Sequence, residues 1–576
     1  MFTNIEDSLV FSSSNTNFDI EKDFLNKGEI YSDKDINIIT KGKVTNDTAN
    51  INAQNNIKIE AKKIENIGKV NLLNPTVEKK SALDSNVEIT STQKAEAKKY
   101  FDDYVNRKNE EKGFITNNDE QEGFKSYDNL HILWIEEIKS NDSSNLSYIS
   151  ANNNISLSSK EGILNSEANI LANKDINIFA SQVENKSSVR KFPVKVVWSA
   201  DIYEATCEII EHGEGPTDPE TGEKRGGDSE ERWDNVYVGN ETFEGNVTQK
   251  IASNKATKIS AGGNLNIVAN KVGNGFDSNI GNKSINIEKV NIAINNNIET
   301  KGFIDTKDFL SFPKGDKGLF KIDNNFSIYL IKTNTKFIDS SSYIGADYLF
   351  KNIKFTPDKD LKLIGDSIYE TKLISKAIME TTGQRFLGSY KSDKEQMKGL
   401  FDNAISERER LDLKLGVSLS NKQISELKSN IIWYVEENIN GKKVLIPKVY
   451  LTKNNLKYPS TSIEATGNLN IVANEVFNAS NMSAKKVSLE LNNLTNISLS
   501  KNLASINGEN IDIKAKNNIS NIGSIISAKN NLNISAIQIK NISTQHINTN
   551  VEGIKKSTLE NISKIEAGNN ILIKIA

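Results

Sequence analysis

The sequence predicts a mainly β protein, a right-handed parallel β-helix built from coils of about 20–21 residues, from a repeated phrase, its spacing and its alternation. The phrase reads ISAGGNLNIVANKV at 259–272 and IEATGNLNIVANEV at 463–476. Degenerate copies start at Ile51, Ile149 and Ile526. Repetition at a fixed period is the signature of a solenoid, in which each repeat stacks on the previous one.

The spacing of apolar pairs sets the length of one coil. Ile36/Ile38 is followed after 21 residues by Ile57/Ile59. The later pairs are Leu469/Ile471, Leu489/Leu491, Ile511/Ile513 and Leu532/Ile534, with Ile571/Ile573 taken as two coils further on. Within each phrase apolar and polar residues alternate, which indicates a strand with one buried face. Asn, Gly, Ser and Lys bound the phrases and predict turns.

Asparagine is abundant in the phrases and has two explanations. Asn tolerates left-handed turn conformations, and its side chains can form hydrogen bonds along a ladder of stacked coils. Coding bias in an AT-rich genome also raises Asn, Lys and Ile contents. Bias does not explain the regular spacing, so we expect asparagine to stabilise the stack.

The composition fits a thin buried column. Of 576 residues, 37% are hydrophobic and 7% aromatic, and the net charge is −3 from 72 basic and 75 acidic residues. This charge balance predicts no nucleic-acid partner. The single cysteine, Cys207, excludes a disulfide within the chain and is expected to be buried on a strand. No apolar run reaches the roughly 18 residues of a membrane span.

Seven segments are predicted along the chain, because the phrase is interrupted three times. Coils are expected at 1–75, 145–188, 250–300 and 460–576, and insertions at 76–144, 189–249 and 301–459. The first insertion carries Ala97, Tyr100, Phe101 and Tyr104 at helical spacing, followed by a strand from His131. The second is expected to be a strand pair joined by an acidic loop. Its carboxylates lack cation-ligand spacing, so a solvated loop is favoured over a cation site.

The third insertion is predicted to be a helical domain with its own core. Ser367/Glu370, Ser392/Glu395 and Ser420/Gln423 each match the capping box, and each precedes apolar residues at helical spacing. In the third helix these residues are Ile424, Leu427, Ile431 and Tyr434. The run VLIPKVYL from Val444 predicts a strand that returns to the coils.

No catalytic, cofactor-binding or metal-binding residue is predicted, and no cofactor is expected. His131, His212 and His546 lie far apart, and residues 260–264 (SAGGN) are expected to form a turn inside a coil. Parallel β-helices also serve as carbohydrate-active enzymes, which need clustered carboxylates. The coil strands carry mainly Asn, Ser and Lys, so a non-enzymatic binding role is favoured over such an enzyme. A purely structural spacer is a further alternative.

The repeats, with GNLNI followed by an alanine two positions on, resemble those of filamentous haemagglutinin-like exoproteins. That group includes the contact-dependent inhibition exoproteins exported by two-partner secretion. The segments LIGDSIYETKLISKAIMETTGQRFLGSY from Leu363 and NIIWYVEENINGKKVLIPKVYL from Asn430 resemble a non-repetitive region of the same family. The likeness covers most of the chain and is weakest in the first two insertions.

The resemblance implies a secreted or cell-surface fibre that acts in adhesion or as the stalk of a toxin-delivering exoprotein. The implied partners are an outer-membrane two-partner-secretion transporter and a receptor on a host or neighbouring cell. The first residues lack a basic segment followed by an apolar one, so an internal or split piece of such a protein is expected. We expect the second and third insertions to be the contact surfaces; alternatively the third only stiffens the rod.

Overall fold

The chain is mainly β in the computed structural model, as predicted, with 60% of the described residues in strands and 16% in helices. The structure describes residues 1–81, 87, 89, 91–111, 123–187, 189–211, 217, 219–221, 229–252, 257–276, 293–294, 302–310, 312–313, 319–323, 328–334, 338, 340–357, 361–382, 384–388, 390–439, 441–452, 461–498, 503–549 and 555–575.

The strands of the first half are short, apart from two repeat strands of 11 and 12 residues and four long strands that lie outside the repeats. They are β1 (Phe2–Asn4), β2 (Leu9–Ser12), β3 (Thr16–Ile20), β4 (Phe24–Asn26), β5 (Glu29–Ser32), β6 (Ile36–Thr40), β7 (Lys43–Asp47), β8 (Asn50–Ala53), β9 (Ile57–Ile67), β10 (Lys69–Lys80), β11 (Lys125–Asn145), β12 (Ser147–Ala151), β13 (Ile155–Ser166), β14 (Ala168–Ala172), β15 (Ile176–Ala180), β16 (Gln182–Ser187), β17 (Val189–Glu211), β18 (Ser229–Ala252), β19 (Lys258–Ala261), β20 (Leu265–Val268) and β21 (Lys271–Phe276). The four long strands are β10, β11, β17 and β18.

The second half has a mixed region followed by more repeat strands. The mixed region holds β22 (Ala293–Ile294), β23 (Phe303–Asp305), β24 (Phe320–Ile322), β25 (Tyr329–Thr333), β26 (Lys362–Gly365), β27 (Ile431–Ile439) and β28 (Lys442–Tyr450). The repeats resume with β29 (Ser462–Ala465), β30 (Asn468–Val472), β31 (Glu475–Asn478), β32 (Asn481–Ile497), β33 (Ser505–Ile522), β34 (Ile525–Ala536), β35 (Gln538–Ile542), β36 (Thr544–Thr549), β37 (Lys555–Asn561), β38 (Lys564–Ala567) and β39 (Asn570–Ile575). The helices are α1 (Ser91–Glu111), α2 (Ala346–Asn352), α3 (Ser367–Thr382), α4 (Asp393–Arg410) and α5 (Asn421–Glu426), with 3-10 turns at Thr306–Phe309 and Ser340–Ser342.

The repeat strands pair in parallel to form three ladders, and one passage through all three is termed a rung. Ladder 1 is β1–β4–β7–β9–β13–β16–β21–β31–β32–β33–β35. Ladder 2 is β2–β5–β8–β12–β14–β19–β29–β32–β33–β34–β38. Ladder 3 is β3–β6–β9–β13–β15–β20–β30–β32–β33–β34–β39. The long strands β9, β13 and β32–β34 turn a corner and contribute to more than one ladder.

Aliphatic side chains stack inside the ladders, as the alternation predicts. In ladder 3 one buried column contains Ile36, Ile57, Ile155, Ile176, Leu265, Leu469, Val487, Ile511 and Leu532. The pair predicted at Leu489/Leu491 is wrong by two residues, because Val487 pairs with Leu469 and Leu489 pairs with Ile471. The stretch VSLEL alternates throughout, so either register presents apolar residues inward, and the short preceding turn selects Val487.

A continuous column of asparagines runs inside ladder 1. Ten amide–amide hydrogen bonds of 2.7–2.8 Å connect Asn4, Asn26, Asn46, Asn66, Asn165, Asn185, Asn274, Asn478, Asn496, Asn521 and Asn541. Each Nδ2 from Asn26 to Asn521 also donates to a backbone carbonyl where the chain turns into ladder 2, as Asn165 does to Ala168 at 2.8 Å. This asparagine column confirms the expected side-chain ladder and provides the buried corner with hydrogen-bond partners.

One predicted pair of coils near the C-terminus is a single rung with a hairpin. Leu532 pairs directly with Ile571, and β36 and β37 form a separate antiparallel pair between them. The interval of 39 residues therefore contains one ladder step. Spacing alone could not distinguish two coils from one coil with an insertion of similar length.

The third insertion is mixed α/β, so the helical prediction was incomplete. Its sheet has the order β23–β28–β26–β25–β24, with β27 paired to β28. Ile431 and Tyr434, predicted on a helix, lie on β27 and are fully buried. The helix α5 ends at Glu426, because the following stretch IIWYV is rich in β-branched and aromatic residues that favour a strand.

Two of the three predicted helix starts have the expected N-cap. Ser420 and Gln423 form a complete capping box, and the Ser392 hydroxyl accepts a hydrogen bond from the Glu395 amide. Ser367 is not a cap, because the Asp366 carboxylate accepts from the Tyr369 amide at 3.1 Å instead. Aspartate is an equally good capping residue, and it leaves Glu370 free for another role.

Candidate functional site

All four large insertions leave the ladders at the same corner. Each departs after a strand of ladder 1 and returns at ladder 2, while the parallel pairing continues across the gap. The departures and returns are Ile67 to Ser147, Ser187 to Lys258, Phe276 to Ser462 and Ile542 to Lys564. In ladder 3, for example, Leu265 lies directly beneath Leu469. The stacked ladders therefore carry all four insertions along one edge, at the corner between ladder 1 and ladder 2.

The first and second insertions share one sheet, to which the third insertion adds the edge strand β22. The order is β10–β11–β17–β18–β22, with the long strands antiparallel. Helix α1, whose residues Ala97 and Phe101 are buried, packs on this sheet in a cluster with Val196 and Trp198. The two segments predicted as separate units are therefore one structural unit, because β11 pairs with β17 across the two intervening rungs.

The third insertion packs against the outer face of ladder 2. The hydroxyl oxygens of Tyr31 and Tyr343 lie 2.6 Å apart, and Lys372 Nζ lies 2.7 Å from Glu29 Oε1. Two and three rungs higher on the same face, Met379 of α3 joins an apolar cluster with Tyr148 and Leu171. These contacts attach the insertion to several successive rungs.

Arg385 is the central polar residue of this interface. Its Nη2 lies 2.8 Å from Asp393 Oδ2 and 3.1 Å from Asn152 Oδ1 of the ladder. Asp393 also accepts from Ser375 at 2.8 Å, and both partners of the ion pair are about nine-tenths buried. A buried, hydrogen-bonded Arg–carboxylate pair fixes the relative geometry of the elements that it joins.

A cavity of about 240 Å³ lies between the insertion and ladder 2. Tyr31, Tyr148 and Asn52 line its ladder side, and Tyr369 and Lys372 line the opposite side. Its polar groups largely bind one another: Gln54 donates to Tyr31, and Asn52 accepts from Ser150. The cavity has the character of an interface gap between two packed units.

Glu370 is a buried carboxyl inside the third insertion. It is fully buried, and its Oε2 accepts from the Ala346 amide at 3.0 Å and from the Tyr434 hydroxyl at 2.8 Å. Its Oε1 has no hydrogen-bond partner among the described atoms. Burial removes the carboxylate from water and raises the pKa of Glu370 to about 8, against the opposing effect of these two donors.

The raised pKa of Glu370 predicts a pH-dependent stability for this insertion. Because the folded pKa exceeds the ordinary value of 4.5, the folded state holds the proton between about pH 4.5 and 8. The contribution of Glu370 to the free energy of unfolding should therefore be highest below about pH 4.5 and fall as the pH rises to about 8. Glu370→Gln keeps both accepted hydrogen bonds, so we expect it to stabilise the protein at pH 8.5 by on the order of 3 kcal/mol.

The measurement is urea unfolding at pH 5 and pH 8.5, followed by tryptophan fluorescence, to which the buried Trp433 contributes. Glu426→Gln, at an exposed position of α5, is the control and should change nothing. An equal effect of Glu370→Gln at both pH values would show that the carboxyl stays ionised in the folded state.

The residues singled out from sequence do not form a common site among the described residues. His131 is exposed on β11, with its Nδ1 2.6 Å from the Asn129 carbonyl oxygen. Cys207 is half-buried on β17, where a fully buried position was expected. His212 lies outside the described residues, as does the side chain of His546 on β36.

Residues 260–264 form the turn that the sequence predicts. The Gly262 amide donates to the Ala172 carbonyl of the rung below at 2.9 Å. A Cβ on Gly262 would lie 2.3 Å from the Asn173 carbonyl oxygen, so a side chain would not fit. Glycine is therefore required for close stacking of the two turns.

The described parts of the chain contain neither a cluster of metal-ligating side chains nor a helix that could span a membrane. No three His, Cys, Asp or Glu side chains lie together in a way that could hold a metal ion. No described helix combines the length and apolar character needed to cross a membrane.

Comparison with known proteins identifies partial relatives. A tRNA nuclease CdiA of Yersinia mollaretii is 36% identical over 149 residues, which is 26% of this chain and 5% of that protein. A 16S rRNA endonuclease CdiA of Enterobacter cloacae is 32% identical over 160 residues, 28% of this chain and 5% of that protein. Most of these relatives are contact-dependent inhibition exoproteins. The predicted resemblance is thereby confirmed for part of the chain.

The similarity extends to a protein with a different name. The protein adenylyltransferase and cysteine protease IbpA of Histophilus somni is 32% identical over 189 residues, 32% of this chain and 4% of that protein. The chain thus spans about a twentieth of the length of these curated relatives. No family model matches the chain, and no solved structure matches it.

Proposed function

We propose that the chain is a parallel β-helical stalk segment of a toxin-delivering exoprotein, which presents its insertions along one edge. The observation that carries the proposal is the continuity of the ladders. Each of the three ladders has eleven strands in unbroken parallel pairing, although insertions of very different length interrupt the chain. A right-handed path is proposed, because parallel crossover connections are almost always right-handed.

The dimensions suit a stalk. Ten steps between eleven stacked strands, at about 4.8 Å each, give a rod of about 48 Å. The aliphatic columns and the asparagine column run its whole length, so the rod has one continuous core. Insertions can then be added at one corner without disturbing the rungs above and below.

A binding role is favoured over the carbohydrate-active alternative. Such an enzyme needs carboxylates on neighbouring rungs beside a groove. At outward positions of the described ladders, no three consecutive rungs carry Asp or Glu; in ladder 3, for example, Asn177, Asn266 and Asn470 succeed one another. We therefore propose a non-enzymatic segment in which the insertions contact another molecule and the ladders support them.

The relatives suggest where the segment acts. We propose a secreted or cell-surface location, export through an outer-membrane two-partner-secretion transporter and contact with a receptor on a neighbouring or host cell. The near-neutral net charge of −3 argues against a nucleic-acid partner. The CdiA relatives support toxin delivery by the complete exoprotein, and adhesion through the insertions is the added proposal.

The test compares insertions with ladders. Fluorescent beads coated with the chain are mixed with Gram-negative cells, and bound beads are counted by flow cytometry. Replacing residues 188–256 by a short Gly-Ser linker should reduce binding at least 10-fold. Removing one complete rung, residues 511–531, should leave binding within 2-fold. Equal binding by the insertion-deleted chain and the intact chain would refute the second insertion as a contact surface.

A further inference from the structure

The hairpin of the second insertion extends beyond its sheet. Pairing of β11 with β17 ends at Lys125 and Glu204, apart from two backbone hydrogen bonds to Ala205. Pairing of β17 with β18 continues to Glu211 and Ser229. Residues 203–211 and 229–237 are termed the ribbon. Its outer part has two strands with no third strand beside it in the described structure.

The ribbon has one apolar face. Tyr203, Cys207 and Ile209 alternate along β17 and therefore share a face, and the residues paired to the first two are Tyr237 and Trp233. The rings of Tyr203 and Tyr237 pack 5.9 Å apart at 70°. Exposure is 63% for Ile209, 40% for Trp233 and 52% for Tyr237. Large apolar side chains clustered and exposed in this way mark an interaction surface.

The remainder of the ribbon is strongly acidic. Its acidic residues are Glu204, Glu208, Glu211, Glu230, Glu231 and Asp234, and its basic residue is Arg232. Six negative charges less one positive charge give the ribbon a formal charge of −5, which is more negative than the net charge of −3 of the whole chain. Glu231 is paired to Ile209 and lies on the apolar face, whereas the opposite face carries Glu204, Glu208, Glu230 and Asp234. Negative charge therefore lies both on and behind the apolar face.

This charge selects among possible occupants. A second ribbon would bring −5 against −5, and an anionic lipid surface would also be repelled. A partner with lysine or arginine beside apolar side chains would gain from both features, because charge complementarity favours association. We propose that the ribbon docks a basic, apolar-faced segment of a partner protein, with its apolar side chains covering Trp233 and Tyr237. This inference rests on the proposed function, since it names the partner chemistry for the second insertion.

The probe is a synthetic ten-residue peptide of alternating lysine and valine, labelled with a fluorophore and titrated against the full chain by fluorescence anisotropy. A lysine–serine peptide lacks the apolar face, and a glutamate–valine peptide reverses the charge. We expect the lysine–valine peptide to bind at least 10-fold more tightly than either. The double variant Trp233→Ser/Tyr237→Ser should weaken its binding at least 10-fold. Phe179→Ser, at an equally exposed aromatic on ladder 3, should leave it unchanged.

Three results would overturn the inference. They are equal affinity of the double variant, preference for the glutamate–valine peptide, and a dimer in sedimentation that the double variant abolishes. Circular dichroism of both variants checks that they are folded, which is expected because the replaced side chains are exposed. Failure of the peptide test with intact bead binding would reject the basic segment and leave the stalk proposal standing.

Discussion

Replacing Asn165 by alanine should lower the free energy of unfolding of the neighbouring rungs by roughly 3–5 kcal/mol. Its Nδ2 donates to Asn185 Oδ1 at 2.8 Å and to the carbonyls of Ala168 and Lys258 at 2.8 and 3.0 Å. Its Oδ1 accepts from Asn66 at 2.8 Å. Alanine would leave several of these buried groups without a partner, and each such group costs about 1–3 kcal/mol.

Asn37→Ala is the matched control for this prediction. Asn37 donates to Asn17 at 2.8 Å between neighbouring parallel strands of ladder 3. Unlike the asparagine column, this pair faces solvent. Water replaces the lost partner there, so the expected change is within about 0.5 kcal/mol. Hydrogen-exchange mass spectrometry of the flanking rungs measures both effects. Similar losses in the two variants would mean that the buried asparagine column contributes no special stability.

The ladders were largely predictable from sequence, because one side-chain pattern determines them. Alternation at Leu469/Ile471 and at Ile511/Ile513 places both residues of each pair inward, and the structure stacks them as expected. The mainly β class and the asparagine column were expected for the same reason: both depend on local composition and spacing.

The errors arose where local pattern does not determine register. At Val487, Leu489 and Leu491 three inward positions follow one another, so only the length of the preceding turn decides which pair continues the column. Ser367 and Glu370 match the capping motif in sequence, but Asp366, one residue earlier, is the residue whose side chain caps the helix. Glu370 then turns inward toward Tyr434, a contact between residues far apart in sequence.

The interface of the third insertion could not be predicted. Arg385, Asp393 and Asn152 meet only because α3 lies across ladder 2, and no spacing rule connects them. The union of the first two insertions has the same origin, since β11 and β17 are separated by two complete rungs of the ladders. Contacts of this kind depend on the tertiary arrangement, which periodicity does not encode.

The rung is the repeating structural unit of the ladders, and two deletions test this. Removing residues 511–531 joins Asn510 to Leu532, which occupies the equivalent position one rung later. After this deletion Leu532 can stack on Val487, Asn541 can follow Asn496 and Ile565 can stack on Ile506. Every column is kept and is one rung shorter. Removing only residues 511–520 destroys the register, because a strand of ladder 3 is lost and Asn521 moves out of the asparagine column.

The decisive measurement is the thermal melt of both variants by circular dichroism at the strand minimum. We expect the variant lacking 21 residues to keep its β signal and to melt within a few degrees of the intact chain. The variant lacking ten residues should lose part of its β signal and melt at least about 10 °C lower, a shift that corresponds to several kcal/mol. Equal loss of structure in the two variants, or greater loss after the longer deletion, would show that the rung is not the repeating unit of the ladders.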